Sequence, residues 1–452
     1  MDEFSSFKTQ LKENGFGEET INSILKIAQD TIKPKKYGLI WEEQKEVSCM
    51  KNPYLKEIKE RKINCIESDS PQHLLIEGDN YEALKLLQDT YSKKVNVIYI
   101  DPPYNTGNKN FIYNDYIIDK KDTYRHSKWL SFIQKRLLLS YELLTDSGVI
   151  FISIGNDEFA QLKLLCDEIF TENNVETIIW QKTDSQVDRN TNSKQIRRFK
   201  NIHEYIIVCY KDKQKACFNK MMKLPNWKKE CKNPDKDIRG PWQSGIISFC
   251  EGHKNEDKTS IYYYTITTPS NKVYTRHWFI TSDEFKALDA DNRIYYPKNG
   301  DGVPRLKVFQ NEEKEYFMES ILRGVGTSST AKDELLDIIG DRDIFETPKP
   351  TKLIKEIIRV ASNKNSIVLD FFAGSGTTGQ AVLELNKEDG GNRQFILCTN
   401  NENNICEKIT YERLKCVING YTTPKGKEIK GIPAKLKYLK ITEQENNTHE
   451  IE

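Results

Sequence analysis

Apolar residues recur with two different spacings along the chain, and the two spacings alternate. Short runs rich in β-branched residues, such as 95–100 and 149–154, end at turn-forming residues and predict buried strands. Longer stretches, such as 81–91 and 126–144, place apolar side chains three and four residues apart, which predicts amphipathic helices. Because strands and helices alternate, the chain is predicted to form a doubly wound, mostly parallel α/β sheet.

The pattern changes near residue 181 and changes back near residue 340. Between these points the strand signals are short and broken, and Asn, Lys, Tyr and Trp are frequent, which predicts an inserted domain over 181–340. The insert divides the α/β domain into two parts, 71–180 and 341–440. Residues 1–70 are predicted to form a charged helical segment, and 441–452 a flexible tail.

The composition predicts a soluble globular protein. Charged residues make up 30% of the 452 residues and hydrophobic residues 37%, and no apolar run approaches the length of a membrane span. The first residues lack the apolar core of a signal peptide, so we expect a cytoplasmic protein without membrane association. The ten cysteines form no C-x-x-C pair, which predicts free thiols and no metal site.

Charge is distributed unevenly, although the net charge is only +1. The stretch Lys182–Arg239, at the start of the predicted insert, holds 16 Lys/Arg residues against 7 Asp/Glu residues. Such an excess is most often a solvated surface, but it is also what phosphate contacts to a nucleic acid require.

Residues 370–378, DFFAGSGTT, follow a predicted strand and precede a predicted helix. Gly374 and Gly376 allow the backbone to approach a ligand closely, and the first N–H groups of the helix face the same space. Many such turns only connect a strand to a helix. This one lacks the Gly-Lys-Ser/Thr ending of a phosphate-binding loop and the third glycine of a dinucleotide site, which suits a cofactor without phosphate such as S-adenosylmethionine.

A second turn, Asp101-Pro102-Pro103-Tyr104, directly follows the predicted strand 95–100. The two prolines fix the backbone and leave rigid carbonyl acceptors. A carboxylate and a fixed carbonyl together accept the two hydrogens of an exocyclic amino group, and the Tyr104 ring can stack on a base. The alternative is a proline turn that only caps the strand. Together with the glycine-rich turn, the motif indicates a site for an amino group that acts as a nucleophile.

The two motifs, in this order and with a variable insert between them, resemble the β class of amino-group DNA methyltransferases. Further segments resemble the modification (Mod) subunits of type III restriction–modification systems and their solitary relatives: KYGLIWEEQKE, HLLIEGDNYEALKLL, DPPYNTGNKNFIYND, HSKWLSFIQKRL, GVIFISI, TPKPTKLI, VLDFFAGSGTTGQAV and LNKEDGGNRQFIL. The resemblance implies a Rossmann-like class I methyltransferase fold that uses S-adenosylmethionine.

The resemblance also implies residue roles. The flipped base is expected to be held by Asp101, Pro102, Pro103 and Tyr104. The cofactor is expected to contact the glycine-rich turn at Asp370, Phe372, Ala373, Gly374, Ser375, Gly376 and Thr377. Three more cofactor contacts are expected: Lys349 in Thr347–Pro350 at the methionine part, Asp79 near the adenine, and Glu402 after the strand QFILC at the ribose.

Three functions remain open from the sequence. The favoured one is methylation of adenine N6 in double-stranded DNA, because the resemblance links Asp-Pro-Pro-Tyr with adenine. A cytosine-N4 methyltransferase would use the same pocket, and a non-catalytic DNA specificity subunit would not need the intact Asp101. The resemblance further implies a homodimer and a possible helicase–endonuclease (Res-type) partner. His126 and Trp129 are as consistent with packing as with DNA contact.

Overall fold

The computed structural model describes residues 50–64, 70–106, 122–184, 199–223 and 231–444, together with a few positions before residue 50. In chain order, the strands are β1 (Pro53–Glu57), β2 (Gln72–Glu77), β3 (Val95–Ile100), β4 (Leu144–Ile154), β5 (Val175–Gln181), β6 (His203–Tyr210), β7 (Met221–Lys223), β8 (Trp242–Gly245), β9 (Tyr263–Thr267), β10 (Val273–His277), β11 (Ile294–Tyr295), β12 (Arg305–Phe309), β13 (Lys314–Tyr316), β14 (Ile321–Leu322), β15 (Ile367–Asp370), β16 (Gln394–Thr399), β17 (Gly420–Thr422), β18 (Glu428–Lys430) and β19 (Lys435–Glu443).

The α-helices lie between these strands in the chain. They are α1 (Asn80–Tyr91), α2 (Arg125–Leu143), α3 (Phe159–Phe170), α4 (Ser282–Ala290), α5 (Ser328–Ile339), α6 (Thr351–Ala361), α7 (Thr377–Asp389) and α8 (Tyr411–Asn419). Over the described segments, no helix is both long and apolar enough to cross a membrane.

The chain divides into two compact units, 1–219 with 319–452 and 220–318. A ten-stranded sheet in the first unit has the order β1-β19-β2-β16-β15-β3-β4-β6-β5-β14. Its central strands, from β19 to β4, are all parallel. Their carboxyl ends therefore lie along one edge of the sheet, where ligands bind in open α/β folds. The predicted doubly wound, mostly parallel fold is confirmed.

The central strands are apolar on both faces because helices cover both sides of a parallel sheet. In β3, every residue except Asn96 is buried, and in β16 every residue except Gln394. Such strands show continuous apolar runs instead of alternation, which is why the sequence pattern located them well.

Two strands of the large sheet come from the predicted insert 181–340. β6 pairs antiparallel with both β4 and β5, and β14 pairs parallel with β5. The compact second unit therefore spans 220–318, and it is narrower than the range predicted from composition. The cause is that a short strand pattern does not reveal which sheet the strand will join.

The ends of the first unit also differ from the predicted boundaries. β1 lies within the predicted helical segment 1–70, yet it pairs antiparallel with β19, and its burial alternates along the strand. Most of that segment lies outside the described residues. β19 continues to Glu443, into the predicted tail, and 445–452 lie outside the described residues.

The second unit has a core of its own. Strands β11, β12 and β8 form a three-stranded sheet, and β9 with β10 and β7 with β13 form two-stranded ones. A buried cluster centred on Trp278 includes Phe285 of α4, whose first turn is closed by a capping box between Thr281 and Glu284.

Gly78, directly after β2, is a position where we expect a side chain to destabilise the fold. Its φ is +151°, and a Cβ at this position would lie 2.7–2.9 Å from atoms of Ile441. Backbone strain and overlap together should lower the free energy of unfolding of Gly78→Ala by at least about 2 kcal/mol, as measured by urea denaturation. Gly390 has a φ of +65° and open space around it, so Gly390→Ala should cost only about 1 kcal/mol. Equal losses in the two variants would contradict the packing described for Gly78.

Candidate functional site

The two predicted motifs meet because their strands are neighbours. β15 pairs in parallel with β3, with Val368 opposite Val97 and Leu369 opposite Ile98. The turn that begins at Asp101 and the turn that begins after Asp370 therefore leave the same edge of the sheet side by side. Both turns line one pocket, and the segment 345–349 forms a further wall of it.

Most of the predicted site residues line this pocket: Asp101, Pro102, Pro103, Tyr104, Lys349, Asp370, Phe372, Ala373, Gly374, Ser375 and Thr377. Asp79, Gly376 and Glu402 are described but are not among the lining residues. Asp79 caps α1 by accepting hydrogen bonds from the N–H groups of Tyr81 and Glu82. Gly376 directly precedes α7 and has a φ of +79°, and Glu402 begins a short 3-10 turn after β16.

Asp370, at the end of β15, forms hydrogen bonds that hold the glycine-rich turn. Its carboxylate accepts from the Phe372 N–H at 3.0 Å and from the Thr378 hydroxyl at 2.5 Å. Burial raises the pKa of Asp370 to about 7, although these two hydrogen bonds oppose the rise. The carboxylate of Asp370 therefore links the start of the turn, at Phe372, to its end, at Thr378, and so fixes the path of the backbone between them.

A buried arginine that the sequence reasoning missed braces the same turn. The guanidinium of Arg413, on α8, donates to the hydroxyl of Thr377 at 2.8 Å and to that of Thr351 at 3.0 Å. It thereby ties the glycine-rich turn to the start of α6. A signal was present in the sequence, because Arg413 lies midway between Ile409 and Val417 on an apolar helix face, where a charge requires buried partners.

Lys349 is one of the residues that line the pocket. Its ammonium is 2.7 Å from both carboxylate oxygens of Asp101, and its side chain is only 7% exposed. The resemblance assigned this lysine to the cofactor. In the structure it forms a buried ion pair with the first residue of the Asp-Pro-Pro-Tyr motif.

A second carboxylate, Glu204, faces the same ammonium. Its Oε2 atom lies 3.5 Å from the Lys349 Nζ atom and accepts from the Tyr104 hydroxyl at 2.9 Å, while its Oε1 atom accepts from Lys182 at 3.1 Å. Sequence reasoning did not select Glu204. The available signal was a lone acidic residue at the start of an apolar strand, which is unusual for a buried position.

The charges in this cluster shift one another's titration. Burial raises the pKa of Asp101, and Glu204 adds to the rise while Lys349 opposes it. Burial also opposes charge on Glu204, but Lys349 and Lys182 outweigh it and hold the pKa of Glu204 below its usual value. Burial likewise disfavours the ammonium of Lys349, yet Asp101 and Glu204 together raise its pKa. Lys349 is therefore charged at neutral pH.

The Asp-Pro-Pro-Tyr turn is anchored by the residues that follow it. The Trp129 indole, fully buried in α2, donates to the Pro103 carbonyl at 2.7 Å. Asn105 donates to the buried carboxylate of Glu158 at 2.5 Å, and His126 contacts the same carboxylate at 2.7 Å. The structure therefore gives His126 and Trp129 packing contacts that hold the turn.

The residues around the pocket fit S-adenosylmethionine. Lys349 offers a buried cation for an α-carboxylate, and the Ala373–Ser375 backbone lets a ligand approach closely. Asn400 is not among the lining residues, but it directly follows β16, which pairs with β15, and its Oδ1 atom is buried without a hydrogen-bond partner among the described residues. Buried acceptors are normally satisfied, so this atom suits a ligand hydroxyl.

Comparison with known proteins agrees with this geometry. A sequence model of the N6_N4_Mtase family, described as DNA methylase, matches residues 95–412, which is more than half of the chain. The chain belongs to this family of DNA methylases. The matched range contains both pocket motifs and Glu204, so the family resemblance predicted from the two motifs is confirmed.

Named relatives of the chain are restriction–modification proteins. The type III restriction-modification enzyme StyLTI Mod subunit of Salmonella typhimurium is 36% identical over 77% of this chain and 56% of the relative. The EcoP15I Mod subunit of Escherichia coli is 30% identical over 85% and 68%, and the type II methyltransferase M.KpnI of Klebsiella pneumoniae is 30% identical over 74% and 82%. The chain thus spans little more than half of the Salmonella relative. Among solved structures, the M1.HpyAVI–SAM complex is 17% identical with a TM-score of 0.35, over 75% of this chain and 98% of that one.

Removal of the central cation gives the second prediction. In Lys349→Met, Asp101 loses the ammonium that most strongly opposes the effect of burial on its pKa, and the pKa of Glu204 rises, so the folded variant holds protons that the unfolded chain releases. Its stability must then fall as the pH rises above the usual carboxyl range. We expect a loss of about 3–5 kcal/mol at pH 8 and a smaller loss at pH 5, measured by urea denaturation.

The exposed neighbour Lys352, which donates to the Gly324 carbonyl, is the matched control for this prediction. Lys352→Met should change the free energy of unfolding by no more than about 0.5 kcal/mol at either pH. A loss in Lys349→Met that is the same at both pH values would refute the coupled ion pair.

Proposed function

We propose that the chain is a site-specific DNA methyltransferase that transfers a methyl group from S-adenosylmethionine to N6 of adenine in double-stranded DNA. One observation carries the proposal: the Asp101–Tyr104 turn and the 370–378 turn leave adjacent parallel strands and line one pocket. A site for an amino nucleophile and a site for the methyl donor are thereby brought together, as in-line transfer requires.

The base would be handled by the Asp101–Tyr104 turn. Because the target amino group is inside the duplex, the base must be flipped out, and Tyr104 would stack on it. Asp101 and the Pro102 carbonyl would accept the two amino hydrogens. The Pro103 carbonyl accepts from Trp129, and this bond supports the rigidity of the acceptor pair.

Lys349 affects the protonation state in which Asp101 would bind the amino group. The ion pair favours the charged carboxylate against the effect of burial, and a charged carboxylate only accepts hydrogen bonds. Each oxygen has a second lone pair, so Asp101 can accept from the amino group while it stays close to Lys349. Transfer would then depend on positioning and electrostatics, with no need for a strong base.

The cofactor would be held by the glycine-rich turn at Ala373–Ser375, by Lys349 at its carboxylate, and by Phe372 and Asn400. When bound, S-adenosylmethionine supplies an electrophilic methyl group on a sulfonium sulfur. Glu402 and Asp79 remain candidates at the ribose and the adenine. The buried, unsatisfied Oδ1 atom of Asn400 supports this residue as a further candidate at the ribose.

DNA recognition is assigned to the predicted insert 181–340, which contains the compact unit 220–318. The basic stretch Lys182–Arg239 would supply phosphate contacts. We further propose a homodimer that belongs to, or derives from, a restriction–modification system, with a helicase–endonuclease subunit as a possible partner. Support comes from the relatives named as type III restriction-modification Mod subunits.

A cytosine-N4 methyltransferase is the second candidate, since the family name covers both N6 and N4 methylases. The identity of the methylated base distinguishes it from the first. A non-catalytic specificity subunit would bind DNA without transferring a methyl group.

Loss of the Asp101 carboxylate gives the third prediction. Asp101→Asn should reduce transfer of radiolabelled methyl groups from S-adenosylmethionine to phage or genomic DNA by about 100-fold or more, because the preorganised negative charge that faces the amino nitrogen, where positive charge develops during transfer, is lost. Cofactor binding, measured by calorimetry, should survive. Asp146→Asn, on an exposed ion pair with Lys215, should transfer methyl groups as the wild type does. Near-normal methyl transfer by Asp101→Asn would contradict the proposed role of Asp101 at the amino group.

Removal of the second unit gives the fourth prediction. When 220–318 is replaced by a Gly/Ser linker, the remaining unit keeps its sheet and pocket, so calorimetric binding of S-adenosylmethionine should persist. Sequence-specific binding to DNA should be lost, as read by gel shift with excess competitor DNA. If both activities disappear together, the unit is not a separable recognition module.

A further inference from the structure

Glu204 reaches the pocket because its strand runs against the others. β6 is antiparallel to β4, with Ile154 at the end of β4 opposite Tyr205. The start of β6 therefore lies at the edge where the parallel strands end, and Glu204, its second residue, faces the Asp-Pro-Pro-Tyr turn. The Glu204 side chain is only 12% exposed.

Three side chains use the Glu204 carboxylate, and each belongs to a different segment. Tyr104 donates its hydroxyl to Oε2 at 2.9 Å, Lys349 lies 3.5 Å from the same atom, and Lys182, directly after β5, donates to Oε1. Two carboxylates and two ammonium groups thus form one partly buried network around Tyr104. A buried carboxylate with three such contacts is more than a surface ion pair.

The Tyr104 hydroxyl donates to the Oε2 atom of Glu204 at 2.9 Å. A Cβ on Gly155 would lie only 3.0 Å from the Tyr104 ring, so the ring also packs against the backbone at this glycine. Contact at the ring and a hydrogen bond at its tip together leave the ring little freedom. A ring that must stack on a base benefits from being fixed before the base arrives.

The distances from Lys349 to the two carboxylates affect how strongly Asp101 accepts hydrogen bonds. Its ammonium is closer to Asp101 than to Glu204, at 2.7 Å against 3.5 Å. If Glu204 carried no charge, the whole attraction of Lys349 would act on Asp101 and make its carboxylate a weaker acceptor. With Glu204 charged, the attraction of the lysine is divided between the two.

We infer that Glu204 is a positioning residue for methyl transfer: it fixes the Tyr104 ring through the hydroxyl and shares the charge of Lys349 with Asp101. The inference rests on the proposed function, because it names the part of that site that prepares the base-binding turn. Glu204 acts through Tyr104 and Lys349.

Two variants separate the two effects. Glu204→Gln removes the charge and keeps an oxygen for the Tyr104 hydroxyl, whereas Tyr104→Phe removes the hydroxyl and keeps both the ring and the charge. Each should lower kcat by about 10- to 100-fold, as expected for a lost hydrogen bond or charge at a charged group. The dissociation constant of S-adenosylmethionine should change by less than about threefold, because neither variant removes a residue proposed to hold the cofactor.

The pH profile of kcat gives a readout that a merely structural role would not move. The titratable groups around Asp101 are Lys349, Glu204, Tyr104, Tyr99 and Asp370. Glu204 raises the pKa of Asp101, so Glu204→Gln should move the acidic limb of the profile to lower pH while its plateau falls. Tyr104→Phe should lower the plateau without moving the limb to lower pH.

The chain offers a matched control pair outside the pocket. Glu176 on β5 accepts from the Tyr210 hydroxyl at 2.7 Å and from Lys213, so it has the same kinds of partner as Glu204. Glu176→Gln and Tyr210→Phe should keep the wild-type kcat and pH profile.

The assay uses the full chain, radiolabelled S-adenosylmethionine and phage DNA. If the wild type transfers no methyl group, the proposed function itself fails. If the wild type is active and Glu204→Gln has the same kcat and the same acidic limb of the pH profile, the inference is overturned. The inference is also overturned if the fall in kcat of Glu204→Gln is no larger than that of Glu176→Gln. Should Glu204→Gln not fold, Tyr104→Phe decides: wild-type kcat in that variant overturns the inference, and a fall with cofactor affinity retained supports it.

Discussion

The pocket depends on one buried ion pair, between Asp101 and Lys349, which joins residues 248 positions apart in the chain. The Lys349 side chain is 7% exposed and that of Asp101 22%, so each group loses much of its hydration and needs an opposite charge beside it. Parallel pairing of β3 with β15 brings the first motif beside the second, and the segment before α6 brings the lysine over both. The charge pair therefore couples the turn proposed for the base to the segment proposed for the cofactor.

Two further buried contacts keep this arrangement rigid. Arg413 ties the glycine-rich turn to the start of α6 through Thr377 and Thr351, and Trp129 holds the Pro103 carbonyl. Both come from helices that cover the sheet, so the outer layer of the fold fixes the geometry of turns at its edge. A preorganised site of this kind needs little rearrangement when its ligands arrive.

The sequence predicted the features that depend on neighbouring residues. Turn chemistry is local, so Asp101-Pro-Pro-Tyr and the turn from Asp370 were recognised together with the strands before them. Glu204 was missed because its significance depends on an antiparallel strand that brings it to the pocket edge from a range assigned to the insert. Arg413 was missed because its partners lie more than 30 positions away. The limits of the insert differed because β6 and β14 join the large sheet.

In the proposed reaction, the pocket presents an amino group of DNA to a methyl donor, with adenine as the base. The most direct test of this reaction is digestion of DNA that has been incubated with the full chain and S-adenosylmethionine, followed by mass spectrometry of the nucleosides. We expect N6-methyladenine as the only new nucleoside. N4-methylcytosine would contradict the assignment of adenine, and unmodified DNA in the presence of bound cofactor would contradict methyl transfer by this pocket.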